Sequence, residues 1–199
     1  MSEILDTKPR ILNLLHALGV AEARSQTVER ELRAIGRNAF GAMTALEVGT
    51  YQGVSAVCIA RELAAGGRLW CIDPWPEDRR GPNPCYSIFK RHIRRTGVAD
   101  RICVLRKTSA EAADELPVEV DFAFIDGDHS WRGVDTDWRL VSPRIRKGGI
   151  ICLHDSVVPP SEPWRAALDS NRYFEEVVKP DERFELVETV HSLVVLRRH

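Results

Sequence analysis

The chain has 199 residues, 44% of them hydrophobic and 29% charged, with a formal net charge of -1. That is length enough for one continuous core and the composition of an ordinary globular domain, with no general attraction to nucleic acid or anionic lipid. The pairs Arg79-Arg80, Lys90-Arg91, Arg94-Arg95 and Arg197-Arg198 are short and interspersed with acids, as on a solvated surface, and five scattered cysteines without a CxxC pair read as reduced, buried thiols.

In chain order, apolar residues Ile11, Leu14, Leu15 and Leu18 predict a helix over residues 9–19 that stops at Gly19. A second helix is expected over 25–37, with Val28, Leu32 and Ile35 on one face and Glu29 paired with Arg33 four residues on. Both helices are expected to cover the edge of the core. From residue 44 the pattern changes to short apolar runs at 45–48, 69–72, 102–105, 122–125 and 150–153, separated by stretches of helical character such as 56–63. Continuous hydrophobicity suits strands buried on both faces, and their alternation with helices implies right-handed crossovers. The expected fold class is a doubly wound, mostly parallel α/β sheet, to which runs at 184–187 and 192–196 add an antiparallel hairpin. No repeat or linker divides the chain, so a single domain is expected: a helical segment over 1–41, a cofactor-binding core over 42–156, and a cap and hairpin over 157–199. The N-terminus lacks a signal-peptide pattern and no apolar run is long enough to cross a bilayer, which leads to the expectation of a cytoplasmic protein.

In sheets of this kind the ligand sits beyond the carboxyl ends of the strands. After the first run come Gly49, Thr50, Tyr51, Gln52, Gly53, Val54 and Ser55. Gly49 permits a tight turn, Gly53 close packing, and the following helix start offers N–H groups to an anion, with a hydroxyl from Ser55. Such a turn by itself is equally well a packing device. The second run, however, ends in Asp73, about twenty residues beyond Gly53, where a carboxylate can accept from both hydroxyls of a ribose. Together they point to an adenosine ligand. A dinucleotide needs glycine where Tyr51 stands, whereas the amino-acid tail of S-adenosylmethionine asks less of the loop; Glu47, inside the strand, is a candidate anchor for that tail.

Residues 47–55, the strand end Ile72-Asp73-Pro74-Trp75, the segment Phe124-Ile125-Asp126-Gly127-Asp128-His129-Ser130, and then Lys147-Gly148-Gly149-Ile150 and His154-Asp155 resemble the class I S-adenosylmethionine-dependent methyltransferases. More narrowly they resemble the bacterial branch related to catechol, macrolide-sugar and cephalosporin-pathway O-methyltransferases. The resemblance covers roughly residues 42–156. It implies a seven-stranded Rossmann-like sheet, Ser109 and Ala110 beside the adenine, Asp73 on the ribose, and Asp126 among the cofactor-binding residues.

Asp126 and Asp155 close the fourth and fifth strands, so neighbouring strands bring two carboxylates to the mouth of the site, the donor type a hard divalent ion requires. In metal-dependent O-methyltransferases the corresponding positions hold the ion, which lowers the pKa of the acceptor hydroxyl. His154 departs from that pattern, because relatives more often carry a carboxylate there and nitrogen suits magnesium poorly, which favours manganese, another transition ion or no ion. His129, three residues beyond Asp126, is the candidate proton acceptor. Its other reading is a cap on the next helix or a partner of Asp128, which in turn either steers His129 or is solvated. Trp75 sits where it could cover a flat ligand, whereas Trp131, Trp138 and Trp164 are expected in the core. Residues 76–84 and 157–163 have the composition of lids. His16, His92, His191 and His199 are placed away from the strand ends, and neither HExxH nor GxSxG occurs.

The expected chemistry is in-line methyl transfer to a small hydroxylated acceptor such as a sugar, phenol or natural-product intermediate, with His129 taking the proton and Asp126 and Asp155 positioning the oxygen through magnesium or manganese. The expected partner is that acceptor, with neither nucleic acid nor membrane, and a homodimer is left open. Two other classes compete: a metal-dependent hydrolase or phosphatase, which leaves the Gly49 turn and Asp73 unexplained, and a non-catalytic adenosine-binding protein of the same fold.

Overall fold

A computed structural model describes residues 9–77, 79 and 81–199, so Asp78 and Arg80 of the expected first lid lie outside the described residues. Strands β1 (Thr44–Val48), β2 (Arg68–Ile72), β3 (Ile102–Leu105), β4 (Val120–Ile125), β5 (Ile145–Leu153), β6 (Phe184–Val190) and β7 (Leu193–Arg198) build one sheet. Its order is β3-β2-β1-β4-β5-β7-β6, with β1 to β5 parallel and β7 inserted antiparallel between β5 and β6. The doubly wound class and the C-terminal hairpin are both present.

Alternation along each strand feeds two cores. Ala45, Leu69, Cys71, Phe122, Phe124 and Cys152 meet one helical layer, formed by α2 (Glu29–Ala39), α3 (Val54–Glu62) and α4 (Pro84–Arg95). Leu46, Val48, Ile72, Ala123, Ile125 and Leu153 meet the other, formed largely by α6 (Trp131–Val141) and α7 (Asp169–Tyr173); the short α5 (Ser109–Ala112) lies on the same side. Helix α1 (Pro9–Ala17) rests on α4, where Arg95 donates to the His16 carbonyl at 2.7 Å and Arg91 to the Asn13 carbonyl at 3.1 Å. Local sequence starts several helices: Asn83 accepts from the Cys85 amide at 2.9 Å ahead of Pro84, and the Ser130 hydroxyl accepts from the Gly133 amide at 3.2 Å.

The structure corrects two expectations about the N-terminal third. Helix α2 begins at Glu29 rather than at residue 25, because Ser25 accepts from the Thr27 amide at 3.1 Å and Val28 is extended. It also lies across a sheet face rather than at the core's edge, with Ala34, Ile35 and Ala39 buried there.

Register gathers the site. Val48 stands opposite both Ile72 and Ile125, and Ile125 opposite Leu153, so the next residue of each strand emerges in one row. The ladder continues one rung past the strands: the Gly49 amide donates to Ile72 at 2.9 Å, Asp126 to Val48 at 2.8 Å, Asp73 to Leu105 at 3.2 Å and His154 to Ile125 at 3.0 Å. Backbone bonding therefore holds Gly49, Asp73, Asp126 and His154 before their side chains do anything. Strand order reverses between β1 and β4, which opens the crevice at this row.

Among the described residues no helix is long and apolar enough to cross a membrane. Gly53 starts α3 at φ 84°, and a Cβ there would meet the Phe89 ring at 2.5 Å. Gly53→Ala is expected to cost about 1–3 kcal/mol from the backbone conformation alone, with the buried Phe89 ring adding to it; urea unfolding measures this, and an unchanged midpoint would refute the packing described.

Candidate active site

A cavity of about 730 Å³ opens along the row, lined by Gly49, Thr50, Tyr51, Ser55, Asp73, Ser109, Ala110, Asp126 and His129 among others. The turn after β1 is drawn tight against β4, since a Cβ on Gly49, at φ 89°, would stand 1.9 Å from the Asp126 carbonyl oxygen. Tyr51 at φ 52°, Trp75 at φ 35° and Asp155 at φ 51° are non-glycine residues in the left-handed region, and each follows a strand end. Strain of this kind persists where surrounding structure holds it, often at functional sites.

Two residues of the expected cofactor set lie off the cavity wall. Gly53 packs under Phe89 instead. Glu47 is fully buried on the α3 side of β1, where the Cys71 thiol donates to its Oε2 at 3.4 Å; burial pushes its pKa up to about 7. Its Oε1 and the hydroxyl of Thr50 have no hydrogen-bond partner among the described residues, so this turn carries buried polar atoms still to be satisfied.

Asp73 is braced by the chain itself: Oδ2 accepts from the Tyr51 amide and Oδ1 from the Trp75 amide, each at 2.8 Å. Burial raises its pKa against those two donors. Trp75 does not cover the ligand space. Only 2% exposed, it stacks on Phe89 at 4.9 Å and donates from its indole to the Tyr51 carbonyl at 2.7 Å, tying the two turns together. Trp138 is buried and Trp131 packs edge-on to Tyr173, but Trp164 is exposed rather than in the core. At the far end Ser109 donates to Asp137, a cavity-lining carboxyl the sequence reading missed, and burial raises the Asp137 pKa to about 6.

At the other end stands a compact charged cluster. His154 Nδ1 lies 2.9 Å from Asp126 Oδ1 and 3.4 Å from Asp155 Oδ1, while its Nε2 lies 3.2 Å from Oε2 of Glu31. Burial would lower the His154 pKa, but Asp126 and Glu31 override it and raise it to about 9. Asp126 is in turn held below the usual carboxylate range, because His154 outweighs the effect of its own burial. Asp155 takes the guanidinium of buried Arg165, which also pairs with Glu162. His129 Nε2 sits 3.6 Å from Asp155 Oδ2 and 3.9 Å from Asp126 Oδ1, with a pKa lowered by burial.

The Asp128 carboxylate accepts from the Ser130 amide and hydroxyl, both at 2.9 Å, and so shapes the start of α6, while its charge acts on His129. His191 is not remote from the strand ends. It sits in the β6–β7 turn with Nδ1 3.1 Å from Glu31. Donor atoms of Asp126, His154 and Asp155 do converge within 4.8 Å of one another, as the sequence suggested for a metal. Their partners fit an ion poorly, since the His154 nitrogen on this side already faces Asp126 and Asp155 is already paired with Arg165. Glu31 and Arg165 were missed in the sequence. Glu31 had left one signal, sharing a helix face with Ala34 and Ile35; Arg165 had left none.

The family described as a methyltransferase domain matches residues 46–156, more than half of the chain. Bovine catechol O-methyltransferase (Bos taurus) is 29% identical over 174 residues, covering 85% of this chain and 56% of its own length. The chain spans about half the length of the curated relatives it matches. Among solved structures, the O-methyltransferase of Bacillus cereus in complex with SAH superposes with a TM-score of 0.66 at 18% identity, over 96% of this chain and 91% of that one. TomG of Streptomyces achromogenes, an O-methyltransferase of tomaymycin synthesis in complex with SAM, gives 0.67 at 16% identity, over 95% and 87%.

The charged cluster has a pH signature. A His154 pKa raised from 6.5 to about 9 means that the folded chain keeps a proton which the unfolded chain releases, so this stabilisation is full below pH 6.5 and is lost as pH rises through 9. Tm is expected to fall across that window, and to fall less steeply in Glu31→Gln, which removes one facing carboxylate. Parallel slopes in the two proteins would show that Glu31 does not hold the proton.

Proposed function

The chain belongs to the methyltransferase-domain family, and on that premise we propose that it is an S-adenosylmethionine-dependent O-methyltransferase acting on a small hydroxylated molecule. The observation that carries the acceptor chemistry is His129 on the wall of the cavity, within 3.6 Å of Asp155 and 3.9 Å of Asp126.

The cavity suits the cofactor: a carboxylate at each of two places along it, Asp73 and Asp137, and on the same wall the turn of Gly49, Thr50 and Tyr51. Asp73 would accept from the ribose, Ser109, Ala110 and Asp137 would border the adenine, and the turn over Gly49, Thr50 and Tyr51 would receive the amino-acid tail. When bound, S-adenosylmethionine supplies an electrophilic methyl group on a sulfonium. Burial keeps His129 neutral near physiological pH, leaving one ring nitrogen able to take the acceptor's proton as its oxygen attacks. The imidazolium so formed has Asp155 and Asp126 as counter-charges. Holding the two reactants in line supplies much of the acceleration. Similarity to catechol O-methyltransferase supports oxygen as the methylated atom.

Magnesium or manganese assistance has in its favour the convergence of Asp126, His154 and Asp155 within 4.8 Å, and against it the partners those atoms already have. The mutational test separates binding from chemistry. Asp73→Ala is expected to weaken S-adenosylhomocysteine binding about 10- to 100-fold by calorimetry. His129→Ala should leave that binding intact and lower methyl transfer about 10²- to 10⁴-fold in a screen of hydroxylated metabolites. Equal loss of binding in both variants would contradict the assigned roles, and binding without turnover on any acceptor would favour a scaffold.

A further inference from the structure

We propose that this site carries its own cations where a metal-dependent O-methyltransferase would carry a divalent ion: His154 and Arg165 together neutralise Asp126 and Asp155, and methyl transfer proceeds without a bound metal. The inference rests on the methyltransferase reading of the cavity.

Geometry carries it. The two ring nitrogens of His154 face different carboxylates, Asp126 at 2.9 Å and Glu31 at 3.2 Å. A neutral imidazole has one N–H, so one of those contacts would set a nitrogen lone pair against a carboxylate oxygen. With the Nε2 hydrogen given to Glu31, the Asp126 contact is a hydrogen bond only when Nδ1 carries hydrogen too, and the nitrogen beside Asp126 and Asp155 then has no lone pair to give a metal. Glu31 is fixed as the acceptor of the Nε2 hydrogen, since it is fully buried and accepts from the Val28 amide at 3.0 Å, the Ser192 amide at 2.9 Å and the Ser192 hydroxyl at 2.8 Å, so the contact that decides the matter is the one Nδ1 makes with Asp126. Arg165 is pinned as firmly: buried, it grips Asp155 with one guanidinium nitrogen and Glu162 with another. A hard cation seeks six or more oxygen ligands with free lone pairs. Here two carboxylates are already engaged and two cationic side chains stand beside the space.

The second oxygen of Asp155 fits the same reading. Asp155 Oδ2 faces His129 at 3.6 Å. In the transfer, the acceptor O–H bond breaks with its proton passing to His129, an oxygen–carbon bond forms, and the sulfur–methyl bond breaks with its electron pair staying on sulfur. The new imidazolium then joins His154 and Arg165 as a third cation around Asp126 and Asp155. On this account the carboxylates serve His129 rather than an ion, and Glu31 is a positioning residue that acts through His154.

Manganese uptake tests this independently of turnover. The intact protein, saturated with S-adenosylhomocysteine, is titrated with Mn²⁺ by electron paramagnetic resonance and with Mg²⁺ by calorimetry, alongside His154→Asp/Arg165→Gln and, should the double variant fold poorly, Arg165→Gln alone. The wild type is expected to show no saturable site below about 1 mM, and removal of the built-in cations to create one at least about tenfold tighter. One ion per wild-type chain below that concentration, lost in Asp126→Asn, would overturn the proposal, as would a cation-depleted variant that binds no better than wild type. S-adenosylhomocysteine binding in the same samples reports separately on the methyltransferase reading: its failure would remove that reading, whereas ion uptake decides only what occupies the cluster.

Discussion

A carboxylate withdrawn from water must find its partners inside the fold, and Glu31 is where three distant parts of the chain meet that demand. It closes the start of α2 through Val28, holds the β6–β7 turn through His191 and Ser192, and faces His154 at the end of β5. The hydrogen bond and charge of His154 keep Glu31 well below the usual carboxylate range in spite of its burial. A half-made set of these contacts would leave a bare charge in the interior, which costs far more than the completed set returns. The helix, the hairpin and the strand end are therefore tied to assemble together, and the face of the candidate site depends on their doing so.

From that point the charge arrangement spreads outward with decreasing burial. Glu31 and His154 are sealed, Asp155 and Arg165 nearly so, and Asp126 and His129 reach the cavity wall. Inner groups are enclosed by their partners, while the outer His129 stands 3.6 Å from Asp155 and 3.9 Å from Asp126. Rigid inner partners fixing an outer reactive group is how a folded chain keeps a catalytic side chain within a narrow range of positions.

The opposite half of the cavity is organised by backbone. Asp73 spends one lone pair of each oxygen on the Tyr51 and Trp75 amides, leaving others directed elsewhere, and the Trp75 indole returns to the Tyr51 carbonyl. Two turns that look independent in the sequence are thus one unit, and strained Tyr51 and Trp75 are held by it. Substituting Trp75 would therefore disturb this half of the cavity through the turn, although the ring itself is packed in the core.

Strand positions, the parallel sheet and the turn after β1 were legible in the sequence because they follow from local signals: apolar runs of strand length, glycines where the chain must bend, and an acid at the next strand end. Asp73, Asp126 and His129 could be named for the same reason, since residues just past a strand in such a sheet have one place to go. What the sequence could not decide is who faces whom. Glu31 lies 123 residues from His154, and Arg165 reaches Asp155 from a short 3-10 helix with no apolar periodicity in its sequence. Pairings at that separation are chosen by the register of the sheet and the packing of helices on it, so whether Asp126, His154 and Asp155 form an open donor set or a set with its own cations is decided only in three dimensions.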